Sequence, residues 1–230
     1  MRLRAICFDL DDTLWDVWPA ITRAEQRLFD WLSTNYPRVS ERHDIASMRD
    51  RRMAVAAEFP DRQHDLSFLR IESLRRHLVE AGYPAEAAHD GFEVFFSVRN
   101  EVEPYADVMP ALQRLSGRFR LMSLTNGNAD LARIGLAHFF EHSLGAREAG
   151  AAKPDPRIFS LLLERAGLEP DEVLHVGVDP AADVEGARAA GLPAVWINRN
   201  ALAWPERFAQ PEWTVTDLSE LADRLLNQAP

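Results

Sequence analysis

The segment Arg4–Trp15, RAICFDLDDTLW, decides how this chain reads. Arg4 to Leu10 predicts a short strand buried on both faces, the pattern of a parallel sheet covered by helices. The strand runs into Asp9, Asp11 and Asp12, three carboxylates within four positions. Such a group repels itself and favours a cation among its members. If the extended form persists, Asp9 and Asp11 project to the same side. The bland alternative is a polar loop in which Asp12 or Thr13 caps a following helix.

Outward from this segment, further apolar runs predict strands at Phe119–Leu124, Glu172–Gly177 and Pro193–Asn198, with a weaker one at Ser143–Gly145. Between the later ones, Val108–Leu115, Pro156–Ala166 and Ala181–Ala190 carry apolar residues at spacings of three and four. Gly167 and Gly191 close the last two, as glycine often closes helices. Strands alternating with helices imply an α/β fold with a doubly wound parallel sheet, Rossmann-like in plan. Residues 15–106 differ. They show no convincing strand and predict four helices, at Pro19–Thr34, Arg42–Glu58, Leu66–Ala81 and Ala85–Asn100. Breaks fall at Tyr36-Pro37, Phe59-Pro60 and Gly82-Tyr83-Pro84. The expected organisation is an α/β core from 1–14 and 107–230, with a helical-bundle cap inserted over 15–106. The two chain crossings make natural hinges.

Composition narrows the function. The 230 residues carry a net charge of −10, which argues against a nucleic-acid partner and against an anionic membrane surface. No apolar run approaches the ~20 residues needed to cross a bilayer. The basic start Met-Arg-Leu-Arg is followed by too short an apolar stretch for a signal-peptide core. One cysteine, Cys7, excludes an internal disulfide framework and suits a cytoplasmic setting; its place on the first strand makes it a core residue. Among 26 basic residues Lys153 is the sole lysine, so it is a candidate for a task that arginine cannot do.

In open α/β sheets ligands bind beyond the carboxyl ends of the strands. The second strand ends in Ser123-Leu124-Thr125-Asn126-Gly127-Asn128, where a hydroxyl and turn amides suit a phosphate oxygen, although Asn-Gly is also an ordinary turn and Asn128 a possible helix cap. Lys153 precedes Pro154-Asp155-Pro156 at a helix start, where the helix dipole disfavours a cation. It serves there as a functional charge, a surface residue or a partner of Asp155. After the fourth strand, Asp179 and Asp183 lie one helical turn apart and suit a metal; Asp179 followed by Pro180 equally suits an N-cap.

Other candidates weigh less. His138 and His142 lie four apart on a predicted helix without a third ligand. Trp15, Trp18 and Trp31 on the first cap helix serve mainly in packing, with Trp15 also placed to contact an aromatic leaving group. Arg51, Arg52, Arg75 and Arg76 read as solvated faces. The chain has no GxSxG elbow, no GxGxxG turn and no P-loop.

Together the DxDxT run at Asp9–Thr13, the strand-end Thr125, Lys153 and the acidic pair Asp179/Asp183 resemble the haloacid dehalogenase-like hydrolase superfamily, mainly phosphatases. The helical insert matches the family's cap of subfamily I. FDLDDTLW with RAEQ, then LTNGN, KPDP and LHVG, are similar to bacterial flavin-pathway phosphatases, which act on FMN or 5-amino-6-(5-phosphoribitylamino)uracil.

The resemblance implies a small-molecule phosphate ester as substrate and Mg²⁺ as cofactor. Asp9 would be the nucleophile and Asp11 the acid–base residue. Thr125 and the Asn126 amide would hold phosphate, and Lys153 would neutralise charge. Asp9, Asp11, Asp179 and Asp183 would bind the metal, and Arg70 would be the cap residue nearest a substrate role. One departure stands out: the family usually has a metal-binding aspartate where this chain has Val178. Val178 leaves a non-catalytic or weakly active phosphate-binding descendant as one alternative, and a phosphomutase of the same fold, which also has the Asp9/Asp11 pair, is the other. Dehalogenases of the family need no acid two residues after the nucleophile, because halide leaves without a proton; Asp11 therefore favours phosphoryl chemistry.

Overall fold

β1 (Ala5–Phe8) lies at the centre of the sheet with every residue fully buried. It pairs in parallel with β2 (Arg120–Thr125) on one side and β4 (Val173–Gly177) on the other. β3 (His142–Gly145), β5 (Ala194–Ile197) and β6 (Trp213–Val215) complete a six-stranded, all-parallel sheet in the order β3-β2-β1-β4-β5-β6. This is the doubly wound plan, in which the chain reverses direction beside β1 and opens a crevice at the carboxyl ends of the strands. The computed structural model describes residues 3–227. Met1 and Arg2 of the basic start, and the last three residues of the 107–230 segment, lie outside the described residues.

The chain divides into two units, Met1–Asp16 with Glu103–Pro230, and Val17–Val102. In the first, Cys7, Met122 and Leu124 from the strands meet Ile158, Phe159 and Leu162 of helix Pro156–Ala166 in one buried cluster. Each such apolar side chain contributes roughly 1.5–3 kcal/mol on burial. Burial also pushes the Cys7 thiol well above its ordinary range, so it stays neutral, as a core residue should.

The second unit consists mainly of helices Val17–Asn35, Ile45–Glu58, Leu66–Glu80 and Ala87–Arg99 around Leu28, Leu32, Leu74, Leu78 and Phe95. Local chemistry sets their starts. Asp44 accepts from the Ser47 backbone at 2.8 Å while the Ser47 hydroxyl accepts from the Asp44 backbone at 3.0 Å, a reciprocal cap that delays the expected Arg42 start to Ile45. Asp65 accepts from Phe68 N at 3.0 Å and opens the next helix.

Several expectations shift. The first helix begins at Val17, so Trp15 is not on it; Trp15 is fully buried and bridges Asp11 and Pro104 within the first unit. Asp12 and Thr13 therefore cap no helix. His138 and His142 do not share a helix: a single turn, Ala137–Phe139, holds the first, and β3 begins at the second. The expected helix Ala181–Ala190 is a wide π turn, Pro180–Glu185, followed by helix Gly186–Ala189. β6, only three residues long, and helix Leu218–Asn227 had no counterpart in the sequence reading.

Candidate active site

β1 stops at Phe8, and the chain then turns sharply. Leu14 N donates to Leu10 O at 2.8 Å, Asp12 N donates to Trp15 O at 2.8 Å, and Asp12 sits at φ 62°. A non-glycine residue with positive φ is strained, and aspartate tolerates the left-handed region better than most. The extended alternation expected to carry Asp9 and Asp11 to one side thus ends at the turn. Asp11 is held separately, its Oδ1 accepting the Trp15 indole N–H at 2.9 Å. Trp15, with no exposed surface, offers none to a substrate; its link to the site is this hydrogen bond.

Asp9 is buried at the tip of β1. Its Oδ2 accepts from the Thr13 hydroxyl at 2.8 Å and its Oδ1 from Lys153 Nζ at 2.7 Å. Lys153, with 2% of its side chain exposed, spends its three ammonium hydrogens on Asp9 Oδ1, on Leu124 O at 2.8 Å and on Asp183 Oδ1 at 2.6 Å. It does not pair with Asp155, which caps its own helix and binds Arg157. The Asn126 side chain fixes the Lys153 backbone from both ends, accepting Lys153 N at 2.7 Å and donating to Lys153 O at 2.8 Å. The Asn126 side-chain amide is therefore committed to lysine placement, and only its backbone N–H is left for an anion. Thr125 Oγ1 accepts from Gly127 N at 3.0 Å, which directs its own hydrogen elsewhere. Ser123 bonds to Ser143 at 2.7 Å within the sheet.

Asp183 is as buried as the lysine. Its Oδ2 accepts from Asp179 N at 2.9 Å, and His175 Nε2 lies 3.1 Å from its Oδ1. Gly177 makes this possible. A Cβ there would fall 2.2 Å from Asp183 Oδ2, so any side chain would evict the carboxylate. Burial alone would raise the Asp183 carboxyl, but the Lys153 ammonium and His175 overcome it and hold it below the usual carboxylate range. Burial likewise opposes the charge on Lys153, and Asp183 with Asp9 hold its ammonium above the ordinary lysine range. For Asp9 burial wins against Lys153 and pushes the carboxyl up to about 7.

The expected metal set does not assemble. The Asp179 carboxylate, on an exposed residue, caps the π turn by accepting from Ala181 N and Ala182 N, both at 2.7 Å. Both Asp183 oxygens are taken, and Val178 brings only a carbonyl, which accepts the Trp196 indole N–H at 2.9 Å. Among the described residues no three histidine, cysteine, aspartate or glutamate side chains converge to hold a metal ion. The donors present do not fit a centre of several carboxylates. Arg70 belongs to the helical unit, where its guanidinium lies 3.4 Å from the Phe95 ring centroid and 3.9 Å from Glu25.

Comparison with known proteins decides the family, because the model of haloacid dehalogenase-like hydrolases matches residues 3–191, most of the chain. The chain belongs to the haloacid dehalogenase-like hydrolases. Within this family it is 33% identical to the Escherichia coli 5-amino-6-(5-phospho-D-ribitylamino)uracil phosphatase YigB, over 85% of this chain and 84% of that one. Among solved structures, a 2-haloacid dehalogenase from Pseudomonas syringae pv. Tomato DC3000 is 38% identical, covers 99% of this chain and 100% of its own, and superposes with a TM-score of 0.91. The hydrolase YfnB of Bacillus subtilis, bound to magnesium, shares the fold at 22% identity, 99% and 100% coverage and a TM-score of 0.70. This haloacid dehalogenase-like hydrolase thus has phosphatases and dehalogenases among its relatives. No helix of its described residues is long and apolar enough to cross a membrane.

Sequence reasoning passed over three parts of the site: the Leu124 carbonyl, His175 and Arg199. Arg199 donates to Thr13 O at 3.0 Å and to Asp107 Oδ2 at 2.9 Å, tying the Asp9 loop to the helix starting at Val108. A backbone carbonyl leaves no trace in residue identity, and Arg199 is one arginine among 25. His175 had a visible signal, a titratable residue two places before the strand-end Gly177.

Proposed function

We propose that this hydrolase cleaves a small-molecule phosphomonoester, with Asp9 as nucleophile and Asp11 as acid–base. The observation that carries the reading is the buried Lys153 ammonium, 2.7 Å from Asp9 Oδ1, with a second aspartate two residues on. Asp9 attacks phosphorus in line while Asp11 gives a proton to the departing oxygen. Asp11 then takes a proton from the water that attacks phosphorus, and phosphate leaves with Asp9 restored. The Trp15 indole orients Asp11 for both transfers. Thr125 donates its hydroxyl hydrogen, and the Asn126 backbone N–H donates as well, to the phosphate oxygens. Lys153 offsets the charge that Asp9 and the phosphate bring together.

Magnesium, which the family resemblance implies, meets an incomplete donor set in this chain, so no step is assigned to it. The proposed substrates are FMN and 5-amino-6-(5-phosphoribitylamino)uracil, the latter supported by the 33% identity to YigB. The similarity to a 2-haloacid dehalogenase favours a second reading, displacement of halide by Asp9. Asp11 weighs against it, since halide needs no proton donor. The test is a panel of p-nitrophenyl phosphate, FMN, ribitylaminouracil phosphate, sugar phosphates and 2-haloacids, read as phosphate and halide release. Phosphate release alone supports the proposal; halide release without phosphate overturns it.

A further inference from the structure

The Asp9 carboxylate is gripped from two sides, and each grip depends on a residue one step back. On one side the Asn126 side chain fixes the backbone of Lys153, whose ammonium donates to Asp9 Oδ1. On the other the Thr13 hydroxyl donates to Asp9 Oδ2 at 2.8 Å, and Arg199 holds the Thr13 backbone. Arg199 follows β5 and lies 186 residues from Thr13 in sequence, within the same unit of the chain.

The Arg199 fork is itself fixed. Its Nε and Nη2 both donate to Thr13 O, at 3.2 and 3.0 Å, while Nη1 and Nη2 donate to the two Asp107 oxygens at 3.0 and 2.9 Å. The guanidinium lies 4.1 Å from the Tyr105 ring centroid. Asp107 Oδ2 also accepts from Leu218 N at 2.8 Å, at the start of helix Leu218–Asn227. Burial would raise the Asp107 carboxyl, but Arg199 and the Leu218 N–H hold it below the usual carboxylate range, so the pair stays charged. A planar fork with a carboxylate on its edge and a ring on its face keeps one orientation, which aims it at Thr13 O.

The loop after β1 needs such a hold. Thr13 is fully buried, and Asp12 before it sits at φ 62°, a conformation that persists only where the surroundings over-determine it. Leu14 O accepts from Tyr105 N at 2.9 Å and Trp15 O from Asp12 N at 2.8 Å, whereas Thr13 O takes its donors from the Arg199 side chain. Without Arg199 a buried carbonyl loses these partners, and such a group is costly to leave unpaired. The loop then turns toward another donor and carries the Thr13 hydroxyl with it.

We infer that Arg199 is a positioning residue for the Asp9 nucleophile: by holding the Thr13 carbonyl it aims the Thr13 hydroxyl, which sets the rotation of the Asp9 carboxylate. The inference deepens the proposed reaction and rests on Asp9 as its nucleophile, whether phosphate or halide is released. Steady-state kinetics of the full chain test it, on whichever ester or haloacid the wild type turns over. The variants are Arg199→Gln, Arg199→Lys and Thr13→Val, alone and combined. Misplacing a reacting group by ~1 Å costs on the order of 100-fold, so Arg199→Gln should lower kcat ~10- to 100-fold and leave KM within ~2-fold. Arg199→Lys keeps a charge beside Asp107 but has no fork to hold Thr13 O as well, and should lose ~5-fold or more in kcat. It carries the test if Arg199→Gln does not fold. In the Thr13→Val background no hydroxyl is left to aim, so either Arg199 change should cost less than ~2-fold in kcat. A kcat at the wild-type level in the folded Arg199 variants overturns the inference. So does a loss confined to KM, or one that persists undiminished in Thr13→Val. If the wild type releases neither phosphate nor halide, the proposed function fails by itself and amide exchange decides the inference. The Thr13 and Leu14 N–H groups, which donate to Leu10 O, should then exchange ~10-fold faster in Arg199→Gln, and an unchanged rate overturns it.

Discussion

Replacing Lys153 with methionine removes a cation bonded to two buried carboxylates while keeping a chain of similar length. The Nζ hydrogen bonds to Asp9, Asp183 and Leu124 O, at 2.7, 2.6 and 2.8 Å, are all lost. Breaking a buried ion pair from one side costs about 3–5 kcal/mol. Linkage sets the pH dependence. In the wild type the Asp183 carboxyl is held below its unfolded value of 3.8, so its stabilisation is complete above that value and disappears as pH falls toward the depressed folded one. Between pH 5 and 8 it is therefore constant. Without Lys153 only His175 opposes burial, so the same carboxyl rises, and the folded protein must either bury a charge or bind a proton. Binding the proton costs about 1.4 kcal/mol per pH unit above 3.8, or roughly 1.6 kcal/mol at pH 5 and roughly 6 kcal/mol at pH 8. The loss relative to wild type should thus grow with pH, from about 2 toward 5 kcal/mol, because protonation and charge burial compete at the upper end. Urea unfolding at pH 5, 6.5 and 8 measures it. Adding Asp183→Asn to Lys153→Met should flatten most of the slope. A penalty near zero, or one that does not change over this range, refutes the reasoning.

Three further expectations rest on single residues. Val178→Asp places a carboxylate where the family usually carries one, and should lower the magnesium concentration for half-maximal phosphate release at least ~10-fold; an unchanged magnesium titration contradicts the reading that Val178 costs the chain a metal ligand. Gly177→Ala, whose Cβ would overlap Asp183 at 2.2 Å, should destabilise by more than ~3 kcal/mol in urea unfolding and abolish turnover, and a stable, active variant would show that Asp183 can move aside. Asp12→Ala, at φ 62°, should cost about 1 kcal/mol while Asp12→Gly costs little, and equal losses in the two would place the cause in the side chain rather than the backbone.

The core of the fold was legible because it rests on local patterns. Short apolar runs separated by helical periodicity specify a parallel sheet; β1, β4 and β5 lie within their predicted stretches, and β2 runs one residue past its own, to Thr125. β6 escaped because three residues show no period, and Trp213–Val215 gains its place only from pairing with β5. Trp15 was misplaced because a helical pattern can be extended backwards over an aromatic that tertiary contacts bury elsewhere. At the site, residue types and order pointed to Asp9, Asp11 and Lys153, since carboxylates after a buried strand and a lone lysine before a helix are visible in one dimension. What hydrogen bonds decide was not visible. Of the two roles open to Asp179, the cap before Pro180 is the one it fills, whereas the bonds of Asp183 to Lys153 and His175 leave no trace in residue spacing. Asn126 was read for its anion-binding amide, while its side chain clamps Lys153 from 27 residues away.

In the proposed reaction Asp9 becomes an aspartyl phosphate, a mixed anhydride that water opens at phosphorus. A single turnover of p-nitrophenyl phosphate in H₂¹⁸O, with mass spectrometry of both the released phosphate and the Asp9 peptide, tests this directly. One ¹⁸O is expected in phosphate, none in Asp9, and no phosphate from Asp9→Asn. Halide release from a 2-haloacid with ¹⁸O entering the Asp9 carboxylate, and no phosphate from any ester, would contradict it.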